Sequence, residues 1–485
     1  MRPLNKVKRK IILIDPSGDM VLHFIENWDV LLIVAMTSDI KKEIQCVIGQ
    51  KEIDVLDISD LLNLPHQPGI NITLLHEYRH IEGDFLYNNM RIYGSAPKVR
   101  YIYFNCLAFW NNLINDKKPD LIYSSTDLHA QSFDIIPLEI ASKRNILAVF
   151  SPPVSAYKQP LTLLVKYKNR ELIDAFDDRI NIDLIKRTIF EGESSRKSIL
   201  HMAIDLLSEK KIRILISKAL TYIKSVLSSI FPYMLRTFFL SLFKGFRSDY
   251  HTGSGKVIIK DHHFISHTLV SYLYMIFGRL HYFKISTPIL PKEKFVYMSL
   301  HMEPEAVLVN SSLNQQLYLA EMLANSLPAG WKLLVKEHPH QFKLSMSHMY
   351  YFLVNLPLMK WFGSYKRLSS IENISLLSVS VNSETVLKKA SAVFTVAGSV
   401  ALEAVVERVP VMCPTGSFYI RLSPSIREIS CQEDIREFLL ALDSTDKTEQ
   451  TTNSDSLAYR KMILNDSGGF GTEIISRALH RELEV

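Results

Sequence analysis

Trp331-Lys-Leu-Leu-Val-Lys-Glu-His-Pro-His-Gln341 is the stretch on which the reading of this chain turns. Three apolar residues, Leu333 to Val335, run straight into Lys336, Glu337 and His338, and Pro339 closes the run. A short apolar run bounded in this way reads as a buried strand that ends in a polar loop. The same grammar returns in Ser391-Ala-Val-Phe-Thr-Val-Ala-Gly-Ser-Val-Ala-Leu-Glu-Ala404 and in Val409-Pro-Val-Met-Cys-Pro414. There a strand from Ala392 to Val396 exits into Gly398-Ser399, and a helix starts behind Ser399. In an open parallel sheet such exits lie together at the carboxyl edge, where ligands bind. The free N–H groups and dipole of a helix start suit a phosphate, and the His338 imidazole can bond or protonate a leaving phosphate oxygen. The outline is that of a nucleotide site.

Outward from that stretch, 485 residues allow two or three domains with full cores. A hydrophobic share of 47% against 22% charged residues is that of a globular protein. Cys46, Cys106, Cys413 and Cys431 stand far apart, offer neither a zinc site nor a disulfide framework, and suit a reducing compartment. The basic start is followed by an apolar run only from Ile11 to Ile14, too short for a signal peptide, and no segment reaches membrane-spanning length. The expectation is a cytoplasmic protein. Net charge is +6, and residues 195–250 alone hold ten Lys/Arg against three Asp/Glu. Charge confined to one helical segment does not suit a nucleic-acid protein, which spreads basic and stacking residues over its sheets.

Residues 1–155 alternate strand-like and helical runs. Ile11-Ile-Leu-Ile-Asp, Val30-Leu-Leu-Ile-Val, Val55-Leu-Asp, Leu121-Ile-Tyr-Ser-Ser and Ile146-Leu-Ala-Val-Phe read as strands, with a helix from Ser132 to Lys143 between the last two. Strand, helix, strand at this spacing is a βαβ unit, and so argues for a parallel sheet. The loop after Ser124 carries Asp127, His129 and Asp134 at a strand's carboxyl end. Asp127 and Ser132 can serve as helix caps, whereas His129 and Asp134 should face a cleft.

Residues 156–290 break the rhythm. From Lys210 to Phe231 the basic residues Lys210, Lys211, Arg213, Lys218 and Lys224 fall within roughly 160° of helical arc, opposite an apolar face. Two readings stay open: a helix packed on a core, or one lying on anionic lipid. Thr252-Gly-Ser-Gly-Lys lacks the first glycine and the Ser/Thr of a P-loop and reads as a turn. From Pro291 the βα rhythm returns and holds through residues 291–485: strands at Phe295–Leu300 and Leu333–Val335, a strand exit near Val379 with Asn382 or Ser383 capping a helix, then the Ala392 and Val411 strands. No repeat of fixed period is present, so any likeness between the two βα regions is architectural.

Several chemistries drop out. There is no Gly-x-Gly-x-x-Gly, glycine is scarce at 17 residues, and neither Asp-x-Asp nor Gly-x-Ser-x-Gly occurs. Glu303-Pro-Glu305 could touch substrate or, given a third ligand, a cation. The remaining candidates are Lys336, His338, Gly398, Ser399 and Glu403 on one side, with His129 and Asp134 on the other. Glu403, four residues past Ser399, can reach ribose hydroxyls while Ser399 holds phosphate.

Phe295-Val-Tyr-Met-Ser-Leu-His-Met-Glu-Pro-Glu-Ala306, Leu327-Pro-Ala-Gly-Trp-Lys-Leu-Leu-Val-Lys-Glu-His-Pro339 and Gly398-Ser-Val-Ala-Leu-Glu-Ala404 together resemble the capsule (surface) polysaccharide biosynthesis proteins. That family includes Kdo transferases and is related in fold to bacterial sialyltransferases. The likeness covers the C-terminal part and extends more loosely to Asp120-Leu-Ile-Tyr-Ser-Ser-Thr-Asp-Leu-His129. It implies an α/β, GT-B-like fold: two Rossmann-like parallel-sheet domains facing across a cleft, joined by a helical middle segment. The resemblance further implies a glycosyltransferase that needs no cofactor beyond its nucleotide-sugar donor, which is CMP-linked if the sugar is Kdo or a related acidic sugar, and the missing Asp-x-Asp makes metal-independent transfer the expectation. His338 and Ser399 would meet the nucleotide phosphate and Glu403 the nucleoside, while Asp134 or His129 activates the hydroxyl of a glycan or glycolipid acceptor. The chain departs from the pattern at Glu407-Arg-Val-Pro410, where glycine is common, and at Ala397-Gly-Ser399, where Thr-Gly-Thr is usual. Peripheral attachment to an anionic membrane and contact with export machinery would follow from the acceptor. A CDP-linked glycerol-phosphate transferase would use the same phosphate site, and a non-catalytic subunit of an export assembly is the reading from another class.

Overall fold

The computed structural model describes residues 8–93, 96–125, 133–151, 161–169, 171–173, 248–252, 255–259, 277–301, 315–338, 341, 363–396, 398–415, 417–421, 426–444, 463–464 and 470–484. In the N-terminal part the strands are β1 (Lys10–Ile14), β2 (Asp29–Ala35), β3 (Asp54–Asp57), β4 (Leu121–Ser124) and β5 (Leu147–Phe150), followed by the short β6 (Leu161–Thr162) and β7 (Val165–Lys166). A hairpin follows, β8 (Ser248–Thr252) with β9 (Gly255–Ile259), Thr252 opposite Gly255. The Thr252-Gly-Ser-Gly-Lys stretch thus begins and ends in paired strands. The C-terminal part contributes β10 (Phe295–Ser299), β11 (Lys332–Lys336), β12 (Ile374–Leu377), β13 (Ala392–Phe394), β14 (Val411–Pro414) and β15 (Ile426–Ile429). Last comes β16 (Ile463–Leu464), antiparallel to β6.

The two main sheets share one plan. The first runs β3-β2-β1-β4-β5-β7 and the second β12-β11-β10-β13-β14-β15. All neighbours are parallel except β7, which pairs antiparallel with β5 at an edge. In each sheet the first strand lies inside, and the order reverses beside it: between β1 and β4, and between β10 and β13. That is the doubly wound Rossmann order. The α/β class with two Rossmann-like sheets, GT-B-like, stands as the sequence implies. It is reached here without the glycine fingerprint of dinucleotide binders.

Period-2 alternation explains how the second sheet is buried on both faces. Phe295, Tyr297, Leu334, Val393, Val411 and Cys413 join the apolar cluster that continues through the N-terminal sheet. Their chain neighbours Val296, Met298, Leu333, Val335, Phe394 and Met412 belong to a separate cluster on the other face.

Some elements differ from the sequence reading. The strand expected to exit at Val379 is β12, ending at Leu377, and Asn382 caps the helix Ser383–Leu387 by accepting from Glu384 N at 2.9 Å. The expected helix over Ser132–Lys143 spans Ile135–Lys143. The 22-residue helix Ala96–Lys117 and the edge strand β15 carry no clear period and went unread. The amphipathic segment Lys210–Phe231, Asp127, His129, Ser132, Glu303 and Glu305 lie outside the described residues.

The C-terminal helix Phe470–Glu484 returns to the N-terminal sheet's helix Gly18–Asn27. Trp28, only 1% exposed, donates its indole N–H to Ser476 Oγ at 3.0 Å and stacks on His480 at 3.9 Å between ring centroids. Lys166 pairs with Glu482 at 2.5 Å beside it. Trp28→Ala leaves a cavity where the chain's two ends meet. It should cost about 3–5 kcal/mol in urea unfolding followed by fluorescence or circular dichroism.

Candidate functional site

In the C-terminal sheet, β11, β10 and β13 lie side by side, so their carboxyl ends form one continuous rim. The rim is tied together along its length. Leu300 N donates to Lys336 O at 2.9 Å, joining the exits of β10 and β11. Past β10 comes His301, whose backbone is fixed by the buried Gln316: its N donates to Gln316 Oε1 at 2.5 Å, and Gln316 Nε2 donates to His301 O at 3.1 Å. Past β13, Gly398 N donates to Thr395 Oγ1 at 3.0 Å. A Cβ on residue 398 would stand 2.6 Å from that oxygen and 3.3 Å from His301 Nε2. Thr395 is fully buried and β-branched, with little room to yield, so only glycine fits. The His301 ring therefore overhangs the Gly398 turn at the switch point.

Ser399 is exposed at the start of the helix Val400–Val406, and its side chain does not cap that helix. The hydroxyl instead donates to Glu403 Oε1 at 3.3 Å, one turn along. Ser399 and Glu403 thus sit together just past Gly398, which His301 approaches.

At the β11 exit the three polar residues have different tasks. Lys336 is 5% exposed, and its ammonium donates to Val381 O at 2.7 Å and Ser383 Oγ at 2.9 Å, holding the loop after β12. Glu337 is 1% exposed; one carboxylate oxygen accepts from Tyr365 OH at 2.5 Å and the other from His338 N at 2.7 Å. Its own N–H donates to Tyr282 OH at 3.0 Å, and that hydroxyl donates to Leu377 O at 2.6 Å. Burial, reinforced by the Glu337 charge, pushes the Tyr282 phenol far above its ordinary range, so it stays a neutral donor. His338 is half-buried, with its backbone held by this Tyr–Glu–Tyr cluster and by Gln341 N, which donates to His338 O at 2.9 Å.

The N-terminal sheet has its own switch point, between the ends of β1 and β4. Ser125 N donates to Ile14 O at 2.9 Å, and Ser125 Oγ donates to Asp15 O. Asp134, 4% exposed, does not cap the helix that follows it. It accepts from Ser124 Oγ at 2.8 Å. Asp15 directly follows β1 in a left-handed conformation, φ 53°, with its N–H donated to Val34 O at 2.7 Å. Burial first, and the Asp134 charge second, raise the Asp15 carboxyl to about 7, against a lowering hydrogen bond from the Met36 backbone.

The structure thus gathers Gly398, Ser399 and Glu403 behind β13, and sets Lys336 and His338 at the exit of β11, with β10 between the two strands. Asp134 stands at the corresponding edge of the other sheet. Asp15, His301 and Glu337 are the residues that the sequence reading passed over. Each directly follows or nearly follows an apolar strand, the same signal that drew attention to His338.

Comparisons with known proteins bear on the fold alone. No protein-family model matches the chain, and no curated protein matches it either. Similar solved structures do exist. The UDP-GlcNAc 2-epimerase of Methanocaldococcus jannaschii, solved with UDP-GlcNAc and UDP, is 12% identical, spans 98% of this chain and 100% of its own, and has a TM-score of 0.27. The Neisseria meningitidis UDP-GlcNAc 2-epimerase bound to UDP-GlcNAc is 13% identical over 97% of this chain and 100% of its own, with a TM-score of 0.27. The beta Kdo 2,7 transferase KpsC of Thermosulfurimonas dismutans is 14% identical over 46% of this chain and 68% of its own, with a TM-score of 0.25. At these identities and scores no activity passes from them to this chain, and the fold rests on its own strand order.

The Asp15 carboxyl yields a pH prediction. Unfolded it ionises near 3.8 and folded near 7. Between those values the folded chain keeps a proton that the unfolded chain has released, so this group's contribution to stability falls as pH rises through the window and is flat above it. Asn suits a left-handed backbone and keeps the side chain's shape. Asp15→Asn should therefore be more stable than wild type at about pH 8, by on the order of 2 kcal/mol after allowing for solvent at this edge. The advantage should vanish by about pH 4 in denaturant titrations across pH.

Proposed function

We propose that the chain is a glycosyltransferase of surface-polysaccharide assembly, moving a sugar from a nucleotide-activated donor to a hydroxyl of a glycan or glycolipid. One observation supports the reading: the His301 imidazole lies close to Gly398 at the switch point of the C-terminal sheet, and His338 leaves β11, one strand further along the same rim. Imidazoles and a hydroxyl along one rim suit the phosphate of a leaving nucleotide. Glu403, one turn beyond Ser399, suits ribose hydroxyls. In this reading residues 291–485 hold the donor and residues 1–155 the acceptor, with Asp134 or His129 on the acceptor side. The sugar we favour is Kdo or a related acidic sugar carried on CMP, in line with the motif resemblance.

No helix among the described residues is long and apolar enough to cross a membrane. Work at the cytoplasmic face would then depend on peripheral attachment, for which the basic segment Lys210–Phe231 is the candidate, or on export machinery as partner.

The test is a thermal-shift screen of CMP, CDP, UDP and GDP with the full chain, followed by transfer from the matching donor. One base should stabilise the protein above the others. His338→Ala should stay folded and lose roughly 10²-fold or more in turnover. Wild-type turnover in that variant would make the imidazole structural, and a chain stabilised by no nucleotide would sink the proposal.

A second outcome concerns metals. Leaving-group charge would be met by the N–H groups and side chains of the rim, so transfer should persist in EDTA. Abolished activity that Mg²⁺ or Mn²⁺ restores would overturn this and turn attention to Glu303 and Glu305.

A further inference from the structure

The N-terminal switch point holds two carboxylates from different elements, one after β1 and one at the start of the helix Ile135–Lys143. Strand pairing sets them on one edge, since Ile14 lies opposite Ser124 and the two chains leave the sheet together. They are not alike. Asp134 is almost wholly buried and accepts from Ser124 Oγ at 2.8 Å. Asp15 is partly exposed, held on a left-handed backbone, and takes one hydrogen bond from the Met36 backbone at the end of β2. Asp134 is a charged group that acts on Asp15, and its charge favours the protonated form there. Ser124 at the end of β4, Ser125 just after it and the Met36 backbone past β2 supply neutral groups beside the two carboxyls.

We propose that Asp15 and Asp134 form a one-proton carboxyl pair in which Asp15 is the member that takes the proton from the acceptor hydroxyl, while Asp134 is a positioning residue acting through it. This rests on the glycosyltransferase reading and changes the assignment of the acceptor side within it. Two neighbouring carboxyls in a poorly solvated site cannot both ionise freely, so they titrate as a unit. The raised ionisation of Asp15, near neutrality, is the range in which a carboxylate best serves as a general base. Only the partly exposed member can touch a substrate.

The step balances with a nucleotide sugar and an alcohol as reactants. The acceptor O–H bond breaks and its proton passes to an Asp15 carboxylate oxygen. The acceptor oxygen forms a bond to the anomeric carbon, and the bond from that carbon to the phosphate oxygen breaks. The electron pair leaves with the nucleotide phosphate at the rim of the other sheet. The proton then returns to solvent through the partly open edge.

The experiment uses the full chain and the variants Asp15→Asn and Asp134→Asn. Isotope-edited infrared spectra of the aspartate carboxyls should show one protonated carboxyl in the wild type that persists to about pH 7. Asp15→Asn should abolish that signal, and Asp134→Asn should move its midpoint down toward the ordinary carboxylate range. In transfer assays Asp15→Asn should lose roughly 10²–10⁴-fold in turnover, with its thermal shift by the stabilising nucleotide unchanged. Asp134→Asn should shift the acid limb of kcat/KM to lower pH, which a merely structural role would not do. A folded Asp15→Asn chain that transfers at the wild-type rate overturns the assignment of Asp15 and leaves the glycosyltransferase reading intact. A titration of Asp15 unmoved in Asp134→Asn overturns the pair. A wild-type chain that neither binds a nucleotide nor transfers a sugar overturns the transfer reading itself, a result separate from both.

Discussion

A parallel sheet buried on both faces leaves polar chemistry one place to go, and that constraint organises this molecule. Alternate side chains of β10, β11, β13 and β14 enter two different apolar clusters, so neither face of the C-terminal sheet can host a charged group cheaply. The strands' own N–H and C=O groups are spent on their neighbours. What remains is the rim where the strands end. At a switch point the connections diverge to opposite sides, and the rim there is left uncovered. Both sheets repeat this arrangement, and both place ionisable or phosphate-compatible groups at it.

The two rims are built from opposite chemistry. At the C-terminal one stand the His301 imidazole, the Gly398 turn and the Ser399 hydroxyl, and the buried Glu337 is held by two tyrosines, Tyr365 on its carboxylate and Tyr282 on its N–H. Glu337 is thus a brace whose charge is spent on hydrogen bonds within the protein. At the N-terminal rim the groups are acids, and one of them retains its proton to about neutrality. A donor-rich edge suits a leaving anion, and an edge holding paired carboxyls suits a hydroxyl that must lose a proton.

A contact between the first and last described helices joins the two halves. The helix Phe470–Glu484 comes after the whole C-terminal sheet yet packs on the first helix of the N-terminal one. Trp28, Ser476 and His480 form that junction with one hydrogen bond and one ring stack. Because the contact joins residues more than four hundred positions apart, it ties the two halves by a route other than the middle segment.

The sequence by itself determined the class of fold and which strands end in polar loops. Short apolar runs that end abruptly in polar residues, at Ile14, Ser124, Val335 and Val396, can be read because a buried strand needs apolar side chains and a rim does not. The same signal marked His338, Gly398 and Ser399. It could not separate Lys336 and Glu337 from His338, since all three follow one strand; only packing shows that the first two turn inward to Val381, Ser383 and Tyr365. Strand order was likewise undetermined, because parallel pairing is set by contacts far apart in the chain. Asp15 and Asp134 are 119 positions apart in the sequence, and nothing local links them. Their closeness, and the carboxyl that burial first and the Asp134 charge second raise, exist only once β1 and β4 lie side by side and water is largely removed from the edge between them.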